Sequence, residues 1–129
     1  MKVKKLFIVG ALIVSICLSA FAGHYVSNQN SLKDRGIARQ TLISFAISKV
    51  EGLKNGYDAD TMEALISNVY AAVQFTDDGD LYTALHDLWN ALIFDGENIV
   101  GKEDDLIKAL KDTDPNVIKG IAYSIRQVN

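Results

Sequence analysis

The chain has 129 residues, with 13 basic and 16 acidic side chains, a net charge of −3, one cysteine and one proline. A net-acidic chain argues against nucleic acid as a partner, because a phosphate backbone is met by clustered Lys and Arg. A single cysteine excludes an internal disulfide or a thiolate metal set, so stability has to come from packing.

The first element is an export signal. Residues Met1 to Lys5 hold three lysines and no acid, and an uncharged apolar run follows from Leu6 through Ala22, seventeen residues long. A positive start, an apolar stretch and small residues at the exit are the layout of a secretory signal. Ala20-Phe21-Ala22 fits the small-x-small pattern of a signal peptidase site, with cleavage expected after Ala22. The competing expectation is an uncleaved inner-membrane anchor with the C-terminal part outside the cytoplasm. A span needs about 17–25 apolar residues, and this run, interrupted by Gly10, Ser15 and Ser19, reaches only the lower end. Cys17 follows Ile16 where a lipoprotein signal needs a small residue, so lipidation is not expected. Residues 23–30 read as a polar tether, and 31–129 as a single helical domain.

Three of the basic residues lie in the signal, so the part after Ala22 carries ten basic and 16 acidic residues, net −6. The charge is uneven. Between Asn55 and Gly101 there is no Lys or Arg but nine acids: Asp58, Asp60, Glu63, Asp77, Asp78, Asp80, Asp87, Asp95 and Glu97. These are either helix caps and solvated surface or a face that meets a cationic partner.

The expected helices follow in order. Ser31 is a plausible cap of the first, whose stripe is Ala38, Leu42, Phe45, Ala46, Val50 and Leu53, stopped by Asn55-Gly56 and weakened by Gly36 and Gly52. The second starts at Asp58 or Asp60 and buries Met62, Leu65, Ile66, Val69 and Val73. Asp78 or Asp80 caps the third, with Leu81, Leu85, Leu88 and Leu92 inward and Asp95-Gly96 as the stop. The fourth, from about Lys102 to Lys111, buries Leu106, Ile107 and Leu110. Asp114-Pro115 opens the fifth, whose inner side is Ile118, Ile121, Ala122 and Ile125. No segment alternates apolar and polar residues, so the expected architecture is an all-α bundle of four to five helices. The second helix shifted by nineteen residues falls on the third, placing Met62 on Leu81, Tyr70 on Trp89 and Phe75 on Phe94. That pattern reads as a helical hairpin with matched aromatic ends.

Two polar clusters invite chemistry. Asp77-Asp78-Gly79-Asp80 resembles a hard-cation turn, but placing Gly79 at the sixth position of a calcium loop puts Leu85 at the twelfth, where an acid is required. On the third helix Tyr82, His86, Trp89 and Ile93 form a second stripe beside the leucines. That double stripe predicts the most buried, central helix of the bundle; its functional reading is an interface, since Tyr and Trp are enriched in binding hot spots. The only histidines are His24 and His86, and no serine elbow, zinc-helix motif or phosphate loop occurs. The expected function is therefore non-enzymatic and needs no cofactor or metal. It is that of an exported protein of a bacterial or phage-encoded envelope, an inhibitor, adaptor or regulator. Its surface would comprise Asp77, Asp78, Asp80, Tyr82, His86 and Trp89, its partner a protein, and its membrane contact only residues 1–22. The alternative is a small carboxylate-based hydrolase or cation-binding periplasmic protein.

Overall fold

A computed structural model describes residues 32–77 and 79–127. The export segment with Ala20 and Ala22, the tether, the Ser31 cap and Asp78 lie outside these residues. Among the described residues the chain forms five helices and no strand: α1 (Leu32–Lys54), α2 (Ala59–Gln74), α3 (Gly79–Asp95), α4 (Glu103–Asp112) and α5 (Pro115–Arg126). One 3-10 turn, Gly96–Ile99, links α3 to α4.

The helix starts show which of the alternative caps the backbone uses. Asp58 is extended and accepts the Thr61 N–H at 2.8 Å and the Thr61 hydroxyl at 2.8 Å, so it, and not Asp60, caps α2. Asp114 accepts the Asn116 N–H at 2.9 Å with Pro115 at the first helical position, as expected. Asp80 lies inside the first turn of α3 and is not its cap; there its charge suits the positive end of the dipole. The fourth helix runs from Glu103 to Asp112, one residue later than expected at each end, and closes on Thr113 in the left-handed conformation (φ 51).

One contiguous apolar core takes residues from all five helices and from the 3-10 turn, whose Ile99 is fully buried. The stripes expected on α2, α3, α4 and α5 are all buried. On α1 the phase differs. Ile43, Ala46, Val50 and Leu53 face the core, while Phe45 is 53% exposed and Leu42 only flanks the core. This helix carries apolar side chains around its whole circumference, so no periodic signal marks one side as the inner one.

Pairwise packing closes into a ring. α1 packs on α2, α2 on α3, α3 on α5, α5 on α4, and α4 returns to α1. No helix is therefore central, and the expectation that α3 is the most buried fails for that reason. α2 is covered further than α3: from Thr61 to Gln74 it has no exposed residue, whereas Tyr82, Thr83 and Phe94 of α3 are exposed. The joint between α1 and α4 is latched by polar contacts. Lys54 Nζ lies 2.6 Å from Asp104 Oδ1, and the Tyr57 hydroxyl, just past α1, donates to Glu103 Oε2. Glu103 Oε1 also accepts the Gly101 N–H at 3.0 Å, at a glycine whose φ of +86 suits the turn.

Candidate interaction surface on the third helix

The turn between α2 and α3 is held from outside. Arg35 of α1 donates its Nε to both Asp77 carboxylate oxygens (3.0 and 3.2 Å) and an Nη to the Gln74 carbonyl oxygen (2.9 Å). The same guanidinium lies 5.5 Å from the centroid of the buried Phe75 ring, and the Arg35 side chain is only 15% exposed. Arg35 thus reads a helix end, a carboxylate and an aromatic face together, the use to which a planar fork with five donors is suited. Asp77 is therefore a partner of the fold itself, and its charge is already met. Signals for this clamp were present in the sequence only as two charged residues 42 positions apart, a separation that no local pattern joins.

The aromatic side chains of α3 do come together. Tyr82 and His86 are stacked, with centroids 6.1 Å apart and planes 19° apart, and His86 meets Trp89 edge-on at 5.4 Å. Tyr70 of α2 completes the series, 4.9 Å from the Trp89 ring. Asn90 Nδ2 lies 3.3 Å from His86 Nδ1, one turn along. The ladder runs from the core outward: Trp89 packs against the core, His86 is half-buried, and Tyr82 is 44% exposed. The Trp89 indole N–H is buried with no acceptor among the described residues, which is unusual for a tryptophan at this depth. Spacings of four and three along α3 made Tyr82, His86 and Trp89 visible as one stripe. Tyr70 was visible only through its nineteen-residue correspondence with Trp89, and the hairpin packing of α2 on α3 is what brings the two rings into contact. Phe75 and Phe94, also matched by that correspondence, part company: Phe75 is buried and Phe94 is exposed.

The acids between Asn55 and Gly101 fall into distinct roles. Asp58 is a cap and Asp77 an ion-pair partner, whereas Asp60, Asp80 and Glu97 are exposed and Asp87 is half-exposed beside His86 in sequence. Along α3 itself Asp80, Asp87 and Asp95 are unopposed by any Lys or Arg of the same helix. Among the described residues no three His, Cys, Asp or Glu side chains come close enough to hold a metal ion. Nor is any helix there long and apolar enough to cross a membrane. Comparison with known proteins found no matching family model and no significantly similar curated protein or solved structure.

Proposed function

We propose that the chain is an exported helical protein of a bacterial or phage-encoded envelope, working by protein contact as an inhibitor, adaptor or regulator. Cleavage after Ala22 would leave it periplasmic or secreted. The contact surface is the exposed part of α3, with Tyr82 and His86 on one flank and Asp80 and Asp87 on the other, and the partner presents basic side chains.

The observation that carries this reading is the aromatic ladder. A stack of rings continuous from Trp89 in the core wall to Tyr82 at the surface gives a contact of large area and low flexibility, which is what binding hot spots are made of. A negative field free of Lys and Arg steers a cationic partner and accelerates its encounter. The acids Asp80 and Asp87 share this helix with the ladder, so steering and contact act through one element.

The test uses substitutions at exposed positions. Tyr82→Ala combined with Asp80→Lys should abolish recovery of a partner from the native envelope while leaving the melting temperature within about a degree or two, because neither side chain is buried. Recovery by the parent chain should also fall as salt is raised. Undiminished recovery by the folded double variant would eliminate this surface. Asp77 is unsuited to such a test, because its replacement would release Arg35 and disturb the α2–α3 turn.

A further inference from the structure

Away from α3, on the seam where α4 returns to α1, the surface opens into a groove of about 270 Å³. Its floor is Ile43 and Ile47 of α1 with Leu110 of α4; Ile43 and Leu110 belong to the core, so the groove cuts down to the apolar interior. Gln40, Ser44 and Thr113 supply neutral polar groups around it, and Lys111 is the one ionisable side chain of the lining. The volume sits near the lower end of small-molecule sites, about 300 Å³.

Two features set this groove apart from an ordinary seam. Lys111 makes no ion pair among the described residues, although carboxylates flank it in sequence. Asp112 is engaged by Lys108 at 3.0 Å, and Asp114 is spent capping α5. Lys111 stands in the last turn of α4, where its charge suits the negative end of the dipole. In a part of the chain with net charge −6, however, a cation with no carboxylate partner above an apolar floor is a local inversion of the overall field. The second feature is Thr113. It closes α4 at φ 51, where a β-branched residue is strained, and glycine or asparagine would ordinarily stand. Its hydroxyl donates to the Leu110 carbonyl oxygen at 3.0 Å, which holds Thr113 against the groove. Strain of this kind is retained where the surroundings use it.

We propose that the α1–α4 groove is a binding site for a small amphipathic monocarboxylate, with the carboxylate on Lys111 and a short apolar chain along Ile43, Ile47 and Leu110. A monoanion fits better than a phosphate. α4 ends at this groove, and the negative end of its dipole opposes a doubly charged group, while a single flexible ammonium offers no fork to hold one. The apolar floor supplies the remaining affinity and excludes a purely polar anion.

The experiment titrates the full-length chain with octanoate, octylamine and octanol, each below its aggregation threshold, while following the methyl resonances of Ile43, Ile47 and Leu110. Octanoate should give saturable shifts at these methyls and bind more tightly than either analogue. Lys111→Gln, at an exposed position and thus harmless to folding, should weaken octanoate by about tenfold and leave octanol unchanged. Absence of saturable shifts at these methyls, equal binding of octylamine, or an unchanged octanoate affinity in Lys111→Gln would each overturn the proposal. None of those results bears on the α3 surface, which lies on other helices.

Discussion

At Gly96 a single added carbon would lie 2.6 Å from the Met62 methyl group. The Asp95-Gly96 pair reads in the sequence as a helix stop, and the helix does end there, but the reason for glycine is space and not a left-handed backbone: only Gly101 among the described glycines has a positive φ. Met62 is almost wholly buried, so its terminal methyl has little room to retreat even though the side chain is flexible. Gly96→Ala should cost about 1–3 kcal/mol through overpacking, read as a lower denaturant midpoint. Pairing it with Met62→Val, which shortens the opposing side chain, should recover part of that loss; strictly additive costs would mean the two residues do not press on each other. Similar reasoning explains why Arg35 was opaque. Its position showed a charge near the start of a helix, while its role depends on Gln74, Phe75 and Asp77 arriving from the far end of another.

At the scale of the elements, stops and starts were the most legible part of the chain. Asp58, Asp114-Pro115 and the apolar stripes of four helices are local chemistry, satisfied within a turn or two, and they appear where the pattern put them. The phase of α1 was not legible because Leu42, Ile43, Phe45, Ala46 and Ile47 surround the helix, and only contact with α2 and α4 selects the inner side. The ends of the elements also carry the pH response. Hydrogen bonds from the Thr61 N–H and hydroxyl hold the Asp58 carboxyl below its usual range, and the Tyr57 hydroxyl does the same for Glu103. The unfolded chain therefore takes up these protons first. The stabilisation is complete above the ordinary carboxylate value of about 4 and drains as pH falls through the lower folded values. Tyr57 behaves oppositely: burial first, then the bond to Glu103, raises its phenol above the ordinary range. Its contribution is whole below about pH 10 and is lost above it. The melting temperature should thus fall on both the acid and the alkaline side, and Tyr57→Phe should flatten the alkaline limb. An alkaline limb of unaltered slope in that variant would show that Tyr57 does not carry it.

For the whole molecule, the all-α class followed from what the sequence lacks, namely alternation and β-rich clusters, and from its capped helices. The arrangement did not. Two apolar stripes on α3 suggested a central helix, yet the second is covered only in part: Ile93 joins the core and Trp89 packs against it, His86 is half-buried and Tyr82 is exposed. The export reading rests on Met1 to Ala22 and makes a direct prediction: the chain recovered from expressing cells should have the mass of one beginning at Gly23. A mass beginning at Met1 would mean an anchored protein instead. The ring has a consequence for such a route. Its closing contacts join Lys54 to Asp104 and Tyr57 to Glu103, 50 and 46 residues apart, so α1 meets its second neighbour only after most of the chain is available. Bringing such distant segments together costs loop entropy before it yields any contact. A polypeptide emerging from a narrow channel, amino end first, would have α1 wait with one apolar flank bare until α4 follows. Delayed closure of this kind keeps a chain threadable during passage and makes its assembly on the far side a single late event.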